Sequence, residues 1–272
     1  MKDNLYEKIH NSNELYKSLG NNSKFLSPNE TMSWIPSDSK ELFDKNLGYF
    51  PNDENLNYYL KNPISYKLNE YGFRTPDSFE NEGPGNVFLG CSHTFGIGHH
   101  LDNVWSYKLN KKIGGNFWNL SVRGTGIITH FRLLLGFYKS LNIKNIFHLA
   151  PIYGRYEFFI DNVPVSMQTS RGDFFEKHFG DSYEIFLSDE QMIFTQETYH
   201  RAIKSIAYEI GCKYYYISSN KYDFQNTKDN RVKNFPYLKS RDLIHFNTNI
   251  QNEIYNDFLN LYKKENPKNN LI

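Results

Sequence analysis

A serine placed between glycines is the first feature of the sequence that could carry chemistry. Ser92 lies in the segment GCSHTFGIG (90–98), shortly after the apolar run Val87–Leu89. Such a pattern suits a tight strand-to-helix turn that presents a hydroxyl, and the N–H groups at the start of the helix could hold an oxyanion. A phosphate loop ending in Gly-Lys-Ser/Thr is excluded, because no Lys-Ser/Thr pair follows the glycine. A plain turn remains the alternative for this segment alone.

Two further segments carry polar groups that could act with this serine. Gly124 lies in the segment NLSVRGTG (119–126), where glycine lets the backbone approach a ligand, although the segment alone is only a loop before a helix. Near the C-terminus, Asp242 precedes His245 by three residues. A carboxylate at this spacing can fold back onto Nδ1 of the imidazole and leave Nε2 free as a general base. The alternative is a solvated pair at the entrance to a helix.

Short apolar runs alternate with helical periods after residue 86, and this order predicts the elements that position the three segments. The predicted strands are Val87–Leu89, Phe117–Leu120, Ile143–Ala150 and Lys213–Ser218. The predicted helices are Asn103–Lys112, Thr125–Leu141, Ser188–Gly211 and one that includes Ile250 to Tyr262, with a capping box formed by Ser188 and Gln191. Alternating strands and helices predict an α/β fold, a three-layer α/β/α sandwich around a central parallel sheet. Ligands of such sheets bind beyond the carboxyl ends of the strands.

Together the three segments resemble the sequence blocks of the SGNH (GDSL-type) hydrolase family. The family's first block, Gly-Asp-Ser-x-Thr-x-Gly, is matched by GCSHTFG, its second block by NLSVRG and its last block, Asp-x-x-His, by DLIHFN. The earlier segment NEYGFR (69–74) is similar to one that often precedes the first block in bacterial and phage members. The resemblance covers about Val87 to Tyr262 and implies the flavodoxin-like SGNH hydrolase fold.

The resemblance also implies an activity and the residues that perform it. It implies a serine esterase with Ser92 as nucleophile, His245 as base and Asp242 as the acid that orients the base. The oxyanion would be held by backbone N–H groups of Ser92 and Gly124. The substrate would be a small acyl ester, with O-acetylated carbohydrates among the candidates, and no cofactor or metal would be needed.

This sequence departs from the family in two places. Cys91 stands where the family has Asp, and the third block, Gly-x-Asn-Asp, is absent from the stretch after the third strand. Arg155 or the Tyr153 hydroxyl could replace the missing amide donor. Two other functions therefore stay open: a non-catalytic glycan-binding or structural module of the virion type on the same scaffold, and an O-acyltransferase that uses the same three residues.

Composition divides the chain into three parts. Residues 1–85 are rich in Asn, Ser, Asp and Pro and are predicted to form a loop-rich N-terminal extension, followed by the hydrolase-like domain at 86–265 and a tail at 266–272. Residues 153–187 are too long for an ordinary connection and are predicted to form a cap-like insertion, with Tyr153 and Tyr156 as candidate substrate-binding residues. The alternatives for this insertion are a subunit contact or packing against the extension.

Charge and hydropathy restrict the partners. The 272 residues carry 31 basic and 30 acidic side chains, a net charge of +1 without long blocks of one sign, which argues against nucleic acid or an anionic membrane as partner. No apolar run approaches the roughly 20 residues that span a bilayer, and the polar start lacks the apolar core of a secretory signal. We therefore expect a cytoplasmic or virion-associated protein that binds a small-molecule or glycan ester, while its oligomeric state stays open.

The histidines outside the three blocks do not predict a metal site. His93, His99, His100 and Asp102 lie close together in sequence, but their spacing matches no common zinc pattern. His148 falls inside the third predicted strand, where we expect it to be hydrogen-bonded.

Overall fold

The computed structural model describes residues 13–169, 180, 186, 188–222 and 239–267. The strands are β1 (Thr31–Met32), β2 (Tyr66–Lys67), β3 (Gly85–Leu89), β4 (Asn116–Asn119), β5 (Ile143–Ala150), β6 (Arg155–Ile160), β7 (Val163–Gln168) and β8 (Lys213–Ser218). The α-helices are α1 (Asn13–Lys17), α2 (Lys40–Tyr49), α3 (Glu54–Lys61), α4 (Ser92–Phe95), α5 (Trp105–Ile113), α6 (Ile127–Phe137), α7 (Asp189–Glu209) and α8 (Thr248–Glu265). Short 3₁₀ helices cover Gly20–Phe25, Leu101–Asn103 and Ser219–Lys221. Within these ranges, no helix combines the length and apolarity that crossing a membrane requires.

The four predicted strands form one parallel sheet in the order β4-β3-β5-β8. Each pair of neighbouring strands is parallel, so the chain returns between them along helices, and the predicted α/β class with a central parallel sheet is confirmed. Because β3 lies between β4 and β5, the loops that leave the carboxyl ends of these three strands emerge side by side. That edge is where the predicted serine and glycine segments begin.

Helices cover both faces of the sheet. Successive side chains of a strand point to opposite faces, so an apolar strand such as β3 needs a helical layer on each side. Val87 and Leu89 of β3 share a core with α6 and α7. Phe88, between them in sequence, joins the opposite core with α5 and α8. There the Trp105 ring of α5 stacks on Phe258 of α8 with 4.6 Å between ring centroids. The two cores fix the sheet between helical layers.

The start of α7 follows the prediction only in part. Ser188 caps the helix, and its Oγ accepts a hydrogen bond from the Gln191 N–H at 3.1 Å. The Gln191 side chain, however, donates to Thr195 Oγ1 at 3.1 Å instead of reaching back to the cap. The reciprocal half of the predicted capping box is therefore wrong, since a neighbour four residues ahead on the helix surface offers Gln191 an acceptor.

Apolar side chains before the sheet form a core of their own with the elements of the serine turn. They share this core with Phe95, Ile97 and Leu243, of which the first is in α4 and the last directly follows Asp242. The buried members from the N-terminal part are Leu26, Ile35, Phe43, Leu56, Tyr59, Ile64, Tyr66 and Leu68. Residues predicted as a loop-rich extension thus pack directly against both segments expected to carry the chemistry.

Strands β6 and β7 form an antiparallel hairpin within the predicted cap-like insertion. The hairpin is attached to α6 by a buried ion pair, in which Arg132 Nε contacts Glu157 Oε1 at 2.6 Å. It also touches the N-terminal part, where the Ser166 N–H donates to Asn21 Oδ1 at 3.3 Å. Of the alternatives for this insertion, packing against the N-terminal part is present for the hairpin. Residues 170–179, 181–185 and 187 of the predicted cap lie outside the described residues.

Candidate active site

Ser92 begins the one-turn helix α4, three residues beyond the last residue of β3, with Gly90 and Cys91 between them. The turn depends on Gly90, because a Cβ at that position would lie 2.0 Å from Thr94 Oγ1. It ends at Gly96, which has φ +82 and whose N–H donates to the Ser92 carbonyl at 2.9 Å. Ser92 is buried in this turn, with 7% of the residue exposed.

The loop that carries Gly124 runs beside the serine turn. Beyond the paired strands, the Val122 N–H donates to the Gly90 carbonyl at 3.2 Å, so the two chains continue side by side past the end of the sheet. Ser92 and Gly124 each follow this bonded pair by two residues, and neighbouring strands lie about 4.8 Å apart. The structure therefore brings the predicted nucleophile and the predicted oxyanion glycine to the same edge of the sheet.

Two backbone N–H groups at this edge have no acceptor within the described part of the chain. Neither the Ser92 N–H nor the Gly124 N–H donates a hydrogen bond to another described residue. Backbone donors in folded proteins are nearly always paired, and the first N–H groups of a helix are left for a cap, water or a ligand. A pair of such donors beside a hydroxyl can stabilise negative charge that develops on an oxygen during acyl transfer.

The predicted contact between Asp242 and His245 is present. His245 Nδ1 lies 2.5 Å from Asp242 Oδ2, while Oδ1 accepts hydrogen bonds from the N–H groups of Ile244 at 3.1 Å and His245 at 3.3 Å. Burial alone would raise the pKa of Asp242, but the nearby imidazole and these hydrogen bonds outweigh it, and the pKa lies below its ordinary value. The carboxylate therefore stays ionised, fixes the Nδ1 tautomer and leaves Nε2 as the free nitrogen.

The turn between these two side chains is strained. Leu243 has φ +57, a left-handed conformation that a branched residue rarely adopts. Its side chain is buried in the core formed with apolar residues that precede the sheet, and this packing holds the residue in place. Strain of this kind persists only where the surroundings impose it, and it often accompanies functional sites.

The histidine segment lies against the serine turn. The ring of His93, next to Ser92, faces the His245 ring with 5.3 Å between centroids and stacks on Phe246 at 3.7 Å. No hydrogen bond between Ser92 Oγ and the His245 ring occurs in the described part of the chain. The acid and base are thus bonded to each other, and the residue that follows Ser92 contacts the ring of the base. Contacts of this type often tighten only when substrate binds.

A buried ion pair that sequence reasoning missed holds the segment before Asp242. Arg241 donates to Asp38 through Nε at 3.0 Å and through Nη2 at 2.6 Å, and both side chains are 1% exposed. The Arg241 guanidinium also stacks on Trp34 at 3.8 Å. Asp38 further accepts a hydrogen bond from Tyr66 OH at 2.5 Å, and Tyr66 OH in turn accepts from the Gly98 N–H at 2.9 Å. No local pattern could reveal this pair, since its members are 203 positions apart.

A second buried arginine holds the serine turn. Arg74, the last residue of the NEYGFR segment, donates through Nη1 to the carbonyls of Phe95 at 3.1 Å and Gly96 at 2.6 Å. Its Nη2 reaches the His99 carbonyl at 2.8 Å, and its guanidinium lies 4.4 Å from the centre of the Tyr66 ring. Burial lowers the pKa of Arg74 to about 10, so the group stays charged near neutral pH. Sequence analysis singled out this segment without giving the arginine a role.

The hairpin reaches the Gly124 loop with two side chains. Arg155, a candidate replacement for the missing amide, donates through Nη1 to the Thr125 carbonyl at 3.3 Å. Gln168, which sequence analysis did not name, donates through Nε2 to the Gly124 carbonyl at 3.0 Å. Both contacts are made to carbonyl oxygens of the loop. A single glutamine at the end of a hairpin strand gives no signal in the sequence.

The two candidate substrate-binding tyrosines lie in different environments. Tyr153, just after β5, is 43% exposed. Tyr156 is buried to 4% exposure, and its hydroxyl donates to the Phe186 carbonyl at 3.1 Å. An exposed ring after a central strand is available to a ligand, whereas Tyr156 packs in the small core of the hairpin.

A chain of buried histidines lies beneath the Gly124 loop. Thr125 Oγ1 donates its hydrogen to the Val122 carbonyl at 2.5 Å and is 3.4 Å from His130 Nε2. His130 Nδ1 lies 3.1 Å from His148 Nε2, and His148 Nδ1 lies 2.9 Å from Tyr214 OH. Only one donor order satisfies all three contacts: the tyrosine hydroxyl donates to His148, His148 to His130, and His130 to the threonine.

Burial keeps both rings of this chain neutral. It lowers the pKa of His130 to about 3 and lowers the pKa of His148 as well. The prediction that His148 is hydrogen-bonded within the third strand is confirmed. No local sequence pattern predicts the contact of His130, because its partner His148 lies on a different element.

His99 and His100, which follow Ser92 in sequence, make separate contacts. His99 Nε2 lies 2.5 Å from the Phe246 carbonyl, and the His100 ring stacks on Tyr59 at 6.0 Å. Asp102 forms an exposed ion pair with Lys111 at 3.1 Å. Within the described ranges, no three His, Cys, Asp or Glu side chains are grouped so that they could hold a metal ion.

No protein-family model matches this sequence, and no curated protein matches it. The function is therefore inferred from the chemistry of the residues at this edge of the sheet.

Proposed function

We propose that the protein is a serine-dependent ester hydrolase with the fold and site of the SGNH type. The observation that carries this proposal is the arrangement around Ser92: the buried Asp242 holds the half-buried His245, whose ring contacts His93 in the turn that contains Ser92. The same edge carries the Ser92 and Gly124 N–H groups, which have no acceptor among the described residues. A nucleophile, an oriented base and oxyanion donors are the groups that acyl transfer through a serine requires.

In the proposed reaction, Ser92 Oγ attacks the ester carbonyl carbon while its proton passes to His245 Nε2. The tetrahedral intermediate then collapses, the bond to the alcohol oxygen breaks, and His245 returns the proton to that oxygen. Water repeats the sequence on the acyl-enzyme, with His245 again as base, and releases the carboxylic acid and the free serine. Asp242 keeps the imidazole oriented and stabilises its cationic form in both halves.

The oxyanion site supplies most of the electrostatic stabilisation in such a reaction. The Ser92 and Gly124 N–H groups would donate to the oxygen that becomes negative, and loss of one such donor typically lowers kcat by about 10²–10³-fold. The substrate that we propose is a small acyl ester, with O-acetylated carbohydrate as the first class to test. The exposed ring of Tyr153 beyond β5 offers a flat surface on which a sugar can pack.

Substitution of the nucleophile tests the proposal. We expect Ser92→Ala to lower hydrolysis of a short-chain aryl acetate by at least about 10⁴-fold, with unchanged circular dichroism and Tm. A fluorophosphonate probe should label the wild type and not this variant. Cys91→Ala is the matched control, because it removes the neighbouring nucleophilic side chain and should keep both activities.

Each outcome separates one alternative from the proposal. Unchanged turnover in Ser92→Ala refutes Ser92 as nucleophile, and loss in Cys91→Ala alone would move that role to the thiol. A wild type that neither turns over esters nor takes the probe, but retains glycan binding, favours the non-catalytic module. Labelling of Ser92 with acyl transfer to a sugar hydroxyl in place of hydrolysis identifies an O-acyltransferase.

A further inference from the structure

The open end of the β6–β7 hairpin lies on the loop that carries the oxyanion glycine. Arg155 and Gln168 are paired across the two strands at this end. Gln168 Nε2 donates to the Gly124 carbonyl at 3.0 Å, and Arg155 Nη1 donates to the Thr125 carbonyl at 3.3 Å. Two successive carbonyls of the loop are therefore held by side chains from one rigid element.

The loop is shaped to admit the hairpin at close range. A Cβ at position 126 would lie 2.3 Å from the Arg155 carbonyl oxygen, so only glycine allows this approach. Gly124 has φ +70, and a Cβ there would lie 3.2 Å from Gln168 Nε2. Glycine at these two positions thus allows the close contact with the hairpin, and at position 124 it also allows the left-handed backbone conformation.

The hairpin has its own anchor, independent of the loop. Glu157 of β6 accepts hydrogen bonds from Arg132 at 2.6 and 2.9 Å and from Thr129 Oγ1 at 2.7 Å, and all three residues are buried. Both partners of Glu157 are in α6, the helix that follows the Gly124 loop. These contacts therefore fix the position of the hairpin relative to α6.

The orientation of the Gln168 amide follows from its partner. A carbonyl oxygen only accepts, so the NH₂ group and not the amide oxygen faces Gly124. Together with the Thr125 Oγ1 bond to the Val122 carbonyl, side chains hold three carbonyls of this short loop. Glycine in a left-handed conformation rotates easily about its backbone bonds, and the bond to its carbonyl restricts that rotation. The Gly124 N–H belongs to the preceding peptide plane, so the bond to the carbonyl limits its direction through the φ and ψ angles of Gly124.

We propose that Gln168 is a positioning residue that holds Gly124 so that its N–H stays directed at the oxyanion site. The catalytic consequence rests on the proposed ester hydrolysis, whereas the effect on the loop does not. A donor that is fixed in advance avoids reorganisation during the reaction, which is the source of its catalytic value.

Two substitutions remove the donor and keep the size of the side chain. Gln168→Leu has no polar group, and Gln168→Glu carries a carboxylate that can only accept. We expect each to lower kcat for an aryl acetate about tenfold and to leave KM within about twofold, since the change acts on the transition state. The control is Gln191→Leu, which removes an amide that donates to Thr195 Oγ1 on α7 and makes no other side-chain hydrogen bond to the described residues.

A second measurement reports on the loop without reference to catalysis. The backbone order parameter of the Gly124 amide, from ¹⁵N relaxation, should fall from the rigid value of about 0.85 towards about 0.6 in Gln168→Leu. It should not change in Gln191→Leu. Because Gln168 is at the edge of the hairpin and the Glu157 anchor is untouched, we expect both variants to fold, and Gln168→Glu supplies a second test.

The outcomes separate this inference from the proposed function. A mobile Gly124 together with a tenfold lower kcat supports positioning by Gln168. If the wild type has no hydrolytic activity but Gly124 becomes mobile in the variants, the inferred hold on the loop stands and the proposed function fails. An unchanged order parameter overturns the inference, as does full kcat in an active enzyme whose Gly124 has become mobile.

Discussion

Substitution of Asp38 by Asn would leave the Arg241 guanidinium buried without its counter-charge. Both side chains are 1% exposed, and Arg241 contacts the carboxylate at 2.6 and 3.0 Å. Removal of one partner from a buried ion pair costs about 3–5 kcal/mol, because the remaining charge stays desolvated. Domains of this kind are stable by about 5–15 kcal/mol, so the variant should lose about a fifth or more of its free energy of unfolding.

Urea unfolding monitored by circular dichroism measures this loss, and a second pair of variants isolates its cause. Arg241→Met alone leaves Asp38 buried and unpaired, and we expect a similar cost. The double variant buries no charge and should be less destabilised than the sum of the single variants by about 2 kcal/mol or more. Asp44→Asn is the control, since its pair with Lys40 is exposed and is worth about 0.3–0.5 kcal/mol.

The same variants test whether the pair supports the site. Arg241 directly precedes Asp242, so its release should also lower the proposed ester hydrolysis by the folded protein at low temperature, where unfolding is negligible. A loss below about 1 kcal/mol in Asp38→Asn, or strictly additive effects in the double variant, would refute the argument that this pair is desolvated and interdependent.

Two further predictions concern titration and backbone space. Three histidines are buried in the neutral state, with pKa values lowered by burial: His99, His130 and His148. Below about pH 6.5 these histidines bind protons in the unfolded chain before they do so in the folded protein, so the free energy of unfolding falls as the pH is lowered. His130→Phe should reduce the slope of the free energy of unfolding against pH by up to about 1.4 kcal/mol per pH unit, measured by urea unfolding from pH 7 to pH 5. An unchanged slope would contradict the neutral state of His130 in the folded protein. Gly98→Ala should lower stability by more than about 1 kcal/mol and reduce turnover, because its Cβ would lie 3.2 Å from Asp242 Oδ1 at φ +73. Gly114→Ala, at φ +76 with no atom within 4 Å, should lose stability through strain alone and keep turnover.

Local patterns were sufficient to predict the sheet and the Asp242–His245 contact. A buried parallel strand is an apolar run, as in Ile143–Ala150, and its bounds agree with β5. A carboxylate three residues before a histidine needs only one turn of chain to meet it. The start of α6 was predicted two residues too early, because the Thr125 hydroxyl bonds to Val122 and makes a turn before the helix.

Partners that lie far apart in sequence could not be predicted in this way. Asp38 and Arg241 are 203 positions apart, and Gln168 is 44 positions from Gly124. Periodicity reports which side chains are buried but not which charges meet inside the core. Arg155 was one of two candidates, with the Tyr153 hydroxyl, for replacing the missing amide, and its guanidinium donates to the Thr125 carbonyl.

The two buried arginines connect the halves of the site through one tyrosine. Tyr66 donates to Asp38, the partner of Arg241, and accepts from the Gly98 N–H beyond the serine turn. Its ring also lies under the guanidinium of Arg74, which holds the carbonyls at the end of α4. A shift of the serine turn relative to the histidine segment would therefore break hydrogen bonds around Tyr66. The proposed acyl transfer would require a hydroxyl and an imidazole from distant parts of the chain to keep a fixed separation, and residues before the sheet would provide that constraint without taking part in the chemistry.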